Sequence, residues 1–242
     1  SDLDVLLPDK PSFDESTVYG KRMKEFFDKY GIQKKTYTEL SKSDDKKKES
    51  LIVSDVKAAY DFDEITQLFF PRAYPSSADA ILFKGKNIFL IEFKTGFQRV
   101  KFDRNQCECE HINGEVCEDY AKLFKRHQKN IDKELKANLF QKAAESRWVL
   151  AYHLLPQICE NTEDIKVFFE IVIDKVKEHP IDCMAEMMNE LSELKDESNI
   201  YESMNQSLKK LYCENRFTRE PSLYNEAKVL SVEEFEEEFL FN

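Results

Sequence analysis

Asp79, Glu92 and Lys94 are the residues whose types and spacing can do chemistry. They sit on two apolar, β-rich runs, Ala78 to Phe83 and Asn87 to Phe93, separated by Lys84-Gly85-Lys86. With Gly85-Lys86 as a two-residue loop, and glycine first as a type II′ turn prefers, Lys84 faces Asn87. Counting back sets Phe83 against Ile88, Leu82 against Phe89, Ile81 against Leu90, Ala80 against Ile91, and Asp79 against Glu92. Directly opposed side chains lie about 4.5 to 5.5 Å apart at Cβ, and like charges there are destabilising, so losing either acid is expected to relieve the pair. Because side chains alternate along a strand, Lys94 shares the Glu92 face with Ile88 and Leu90, and with Ile81 and Phe83 across the pair. The acids end an apolar face.

Two carboxylates at that spacing can share a hard divalent cation such as Mg²⁺, which takes one or two carboxylates and keeps waters for phosphate oxygens. A lysine two residues on can orient or deprotonate a water, or neutralise charge on a phosphoryl transition state. The alternative is a Lys94-centred salt bridge that only quiets two acids at a strand end.

Asp79 followed by Glu92-Phe93-Lys94 and Thr95-Gly96 resembles the PD-(D/E)XK nuclease superfamily, across a stretch from about Asp55 to Ile173. The resemblance implies a restriction-endonuclease-like α/β fold, a mixed central sheet flanked by helices. It implies Asp79, Glu92 and the Phe93 carbonyl as holders of Mg²⁺, with Mn²⁺ able to substitute, and Lys94 acting on the attacking water. Ala78 stands where the nominal motif has proline. Members that add a carboxylate from the preceding helix point to Glu64, with Asp63 and Glu49 competing. Branches with a polar residue on the following helix point to Gln128 or Lys129.

The elements that must position these residues follow from periodicity. Ser16 to Tyr30 carries Val18, Met23, Phe26, Phe27 and Tyr30 at helical spacing, after Ser16/Thr17 as caps and before Gly31. Ser41 to Ser50 has no apolar residue and reads as an exposed loop or a disordered linker. A helix is predicted over Asp55 to Phe70, with a break near Asp61 to Asp63, closed by Pro71 and Pro75. Glu118 to Glu145 reads as a long helix buried along Tyr120, Phe124, Ile131, Leu135 and Leu139. Trp148 to Leu155, with Trp148 in the core, and Lys166 to Ile173 read as strands. From Asp182 onward the pattern is mostly helical. The organisation predicted is one composite domain over 1–242, with a core over 55–175 and a mostly helical extension over 176–242.

Both faces of the hairpin are apolar, since Ala80, Leu82, Phe89, Ile91 and Phe93 line the side away from Glu92, so the hairpin belongs in the middle of a covered sheet. Five glycines in 242 residues leave nothing from which to build a Gly-rich phosphate loop. The formal charge of -11 argues against a whole-surface coat for nucleic acid or anionic membrane. Basic residues nevertheless gather near the motif. Lys84, Lys86, Arg99 and Lys101 follow or flank the hairpin, and Lys122, Lys125, Arg126, Lys129, Lys133, Lys136 and Lys142 stud the long helix. Lys84, Lys86, Arg99, Lys101, Lys125 and Lys129 are the candidate nucleic-acid contacts.

Cys107, Cys109, His111 and Cys117 offer soft ligands in a spacing tighter than usual zinc modules, and plain loop thiols are the alternative. Sparse cysteine, no apolar run near 20 residues and no leader pattern at the start predict a cytoplasmic protein with no membrane span. The reading predicted is a Mg²⁺-dependent nuclease acting on nucleic acid, DNA before RNA, with the acidic Glu233 to Glu238 stretch open to a protein partner. Its rival is a non-catalytic protein- or nucleic-acid-binding module on the same fold.

Overall fold

A hairpin apolar on both sides needs cover on both sides, and a computed structural model describing residues 12–42, 49–73, 75–94, 138–173 and 222–241, with Gln206 and Lys209, provides it. The chain is α/β, with six strands side by side in sequence order. These are β1 (Lys34–Thr36), β2 (Ala58–Asp61), β3 (Ala80–Lys84), β4 (Asn87–Lys94), β5 (Lys166–Ile173) and β6 (Glu226–Ser231). The first four run antiparallel to their neighbours, whereas β4, β5 and β6 are parallel, so the sheet is mixed.

The register of β3 on β4 is the one counted from the turn, from Ala80 against Ile91 to Lys84 against Asn87. Gly85 takes φ 58, the left-handed region a primed hairpin turn needs at its first central residue.

One face buries Ile81, Ile88, Leu90, Phe169 and Ile171 under helices α1 (Val18–Tyr30), α3 (Phe62–Phe69) and α4 (Phe140–Val149). The other buries Ala80, Phe89, Ile91, Phe93 and Val172 against Tyr37 of the short α2 (Tyr37–Leu40), Ile52, and Phe235 and Phe239 near the C-terminus. α1 is capped as its sequence predicts: the Thr17 side chain accepts from the Gly20 amide, and Gly31 closes the helix at φ 71.

Three expectations change. The helix over Asp55 to Phe70 divides, because Ala58 to Asp61 pair with β1 and Asp61 then caps α3 by accepting from the Glu64 amide at 2.9 Å. Trp148 to Leu155 is helical rather than a strand. α4 continues through a π-helical turn (Leu150–Leu154) into α5 (Leu155–Ile158). A strand would put positions 148, 150, 152 and 154 on one face, yet Leu150 and Leu154 are buried while Trp148 and Tyr152 are 42% and 72% exposed. Trp148 is therefore not core; it packs at the surface with Phe70 and His153. Finally, the C-terminal stretch contributes a strand as well as helix: β6 extends the sheet beyond β5, followed by α6 (Val232–Phe235) and a π-helical turn over Glu236–Leu240. Among the described residues no helix is long and apolar enough to cross a membrane.

Candidate active site

The segment leading into β3 is fixed residue by residue. The Ser76 amide donates to the Glu145 carboxylate, and the Ser77 hydroxyl donates to Asp63 of α3. The Ala78 amide donates to Ser146 Oγ at 2.8 Å, and Asp79 Oδ2 accepts from the Phe93 amide at 2.6 Å. The Asp79 carbonyl also accepts from the Phe62 amide. Four consecutive residues are thus tied to α3, α4 and β4, which holds the Asp79 side chain before any ligand arrives. Proline at position 78 would remove an amide that is in use, so Ala78 suits this backbone. Ser146→Ala is expected to leave that amide without its acceptor and lower stability by about 1–3 kcal/mol. A urea titration reads this, and an unchanged midpoint would mean that other bonds hold the loop.

Asp79 lies one residue before β3, and Glu92 lies near the end of β4. Lys142 of α4 joins them. Its Nζ is 2.8 and 2.9 Å from the two Glu92 oxygens and 3.6 Å from Asp79 Oδ1. Lys94 Nζ is 3.5 Å from Glu92 Oε1. The Glu92 side chain is 1% exposed, whereas Asp79, Lys94 and Lys142 reach solvent at about a quarter of their surface. The cluster is a buried carboxylate floor with a partly open mouth.

Burial pushes the Glu92 carboxyl up to about 8, and the nearby Asp79 charge adds to the rise; Lys142 and Lys94 oppose it. Burial also pushes Asp79 up to about 6, with Lys142 and the Phe93 amide opposing and Asp63 adding. Burial works against the Lys142 ammonium, but the Glu92 and Asp79 charges outweigh it and hold its pKa above the ordinary lysine value. Two acids that resist ionisation therefore stand beside two ammonium groups.

Lys142 is the residue that sequence reasoning passed over, counted only among basic residues of a helix face. A signal was present: Leu139, Lys142 and Ser146 continue the predicted apolar stripe at spacings of three and four. Among the α3 acids, Asp63 rather than Glu64 is the one whose charge reaches Asp79 and Lys142. Glu64 pairs with Lys35 of β1 at 3.2 Å, beside the Asp61–Lys35 pair at 2.7 Å. Lys84 and Lys86 are exposed at the hairpin turn, the opposite end of the strands from Asp79 and Glu92. Arg99, Lys101, Lys125, Gln128 and Lys129 lie outside the described residues, as do Cys107, Cys109, His111 and Cys117. Among the described residues, no three His, Cys, Asp or Glu side chains group closely enough to hold a metal ion. Comparisons with protein-family models, curated proteins and solved structures find no match.

Proposed function

We propose that the chain is a metal-dependent nuclease that hydrolyses phosphodiester bonds, DNA before RNA, on a restriction-endonuclease-like core of the PD-(D/E)XK kind. The observation that carries this reading is the meeting of Asp79, Glu92 and Lys94 at the end of one buried sheet face, in the order the motif requires. A buried carboxylate and a partly exposed one, answered by ammonium groups, fit a small divalent cation that takes one or two carboxylates and keeps its waters. Asp79, Glu92 and the Phe93 carbonyl would hold it. Mg²⁺ bound there supplies polarisation of a phosphate oxygen and a more acidic water.

The chain's own residues do the rest. The loop bonds at Ser76, Ser77 and Ala78 keep Asp79 aimed, so little reorganisation is needed when substrate arrives. Lys94, partly exposed beside Glu92, places a positive charge where the attacking water and the phosphoryl oxygens would lie. The rival reading, a binding module on this fold, draws on Lys142, which already quiets both acids as a structural ion pair would.

The test is direct. Purified chain with Mg²⁺ or Mn²⁺ is offered single-stranded, duplex, flapped and RNA substrates; no cutting of any would overturn the nuclease reading in favour of the module. Binding, measured in Ca²⁺ to block cutting, is expected to weaken steeply with salt as phosphate contacts release counterions. Reversing Lys125 and Lys129 to Glu is expected to weaken it further, and no loss would remove that segment from the nucleic-acid surface.

A further inference from the structure

We propose that Lys142 is a resident counter-cation that a divalent metal must displace, so that the metal-free site is held closed by the protein's own ammonium group. The inference rests on the metal-dependent reading above and adds its regulation. The grounds are geometric. Lys142 Nζ contacts both oxygens of Glu92, at 2.8 and 2.9 Å, and stands 3.6 Å from Asp79. Those are the donors a shared metal would need, and Mg²⁺ would approach them at about 2.0–2.1 Å. Two cations cannot occupy the same carboxylate oxygens at that range without strong repulsion.

Charge balance points the same way. Once ionised, as a bound metal requires of them, the two acids cancel the ammonium groups of Lys94 and Lys142. A divalent ion added with both lysines in place leaves a net double positive charge in a mostly buried site, which burial penalises. One ammonium has to move. Lys142 is the one whose Nζ sits within hydrogen-bond distance of both Glu92 oxygens and near Asp79, whereas Lys94 Nζ stands 3.5 Å from Glu92 Oε1. Its placement is set by the docking of α4, because Glu145 and Ser146, one turn along the same face, bind the Asp79 loop. Lys142 is thus a positioning residue: it keeps the carboxylates paired and buried until metal arrives.

The probe is Mn²⁺ alone, titrated by calorimetry into the full chain, its Lys142→Met variant and its Lys94→Met variant. Lys142→Met keeps the apolar stem and removes the competitor, so Mn²⁺ affinity is expected to rise by about tenfold or more, with a smaller gain for Lys94→Met. Equal gains in the two variants would mean that only overall charge matters, and unchanged or weaker binding in Lys142→Met would mean that Lys142 supports the metal; either overturns the exchange while the nuclease reading stands. No Mn²⁺ binding by any of the three chains overturns both readings. Should Lys142→Met fail to fold, crystals of the unaltered chain soaked in Mn²⁺ decide the matter. Metal beside Glu92 with Lys142 Nζ moved away supports the exchange, and metal with Nζ still on Glu92 ends it.

Discussion

Asp79→Asn is expected to lower cleavage by roughly a thousandfold, about 4 kcal/mol of transition-state stabilisation, while the protein stays folded. Asparagine is the informative replacement, because Asp79 Oδ2 accepts from the Phe93 amide at 2.6 Å and a side-chain amide oxygen can still accept there. Relief of the Asp79–Glu92 repulsion should leave metal-free stability level or slightly raised. Asp79→Ala differs. It orphans the Phe93 amide in a partly buried place, a cost of about 1–3 kcal/mol that offsets the relief of repulsion. Relief of the acid pair is therefore expected to show in the asparagine variant and to be offset in the alanine variant. Lys94→Met should lose cleavage comparably without a fall in melting temperature. Thermal melts beside a fluorescent cleavage assay check all three, and an Asp79→Asn protein that cuts as well as its parent would move the active site elsewhere.

What could be read in advance was whatever local chemistry decides. The hairpin was legible because one glycine in a short polar loop sets the pairing from Lys84 with Asn87 back to Ala80 with Ile91, one step short of Asp79 and Glu92, and because apolar residues on both faces demand a central position. α1 was legible from Thr17 and Gly31, whose capping roles are local. The misreadings share a different cause. Ala58 to Asp61 carries no strong strand preference and becomes β2 only because β1 and β3 offer it partners. Trp148 to Leu155 is a short apolar run, which periodicity cannot assign, and it turns helical because Leu150 and Leu154 share a buried side that excludes Trp148 and Tyr152. β6 has Lys228 at its centre, so its place in the sheet depends on β5. Lys142 was hidden for the same reason. Its role exists only once α4 docks on the segment between Ser76 and Asp79, a tertiary event that spacing hints at but does not state.

The second large effect is expected at the other face of the sheet, where Glu170→Gln should stabilise the protein at pH 8 and do almost nothing at pH 4. Glu170 sits on β5 between Ile91 and Lys228, fully buried, and neither carboxyl oxygen has a hydrogen-bond partner among the described residues. Its neighbours on that face include Phe168 and Val172. Burial raises its pKa well above 4.5; Lys228 opposes the rise, while Glu238 and Glu226 add to it. Lys228 is itself shared with Glu226 at 3.8 Å and Glu238 at 3.6 Å, so it answers Glu170 only in part. The sign follows from proton counting. Above the unfolded carboxyl value the native state keeps a proton that the unfolded chain has lost, so the native state binds more protons and stability falls as pH rises toward the folded pKa. Glutamine keeps the shape without that dependence. A gain of about 1–2 kcal/mol at pH 8 is expected, which at this chain length raises the melting temperature by a few degrees. Calorimetric melts of parent and variant at pH 4, 6 and 8 should show the difference growing with pH, and a gain equal at all three would trace the effect to packing rather than to the buried charge.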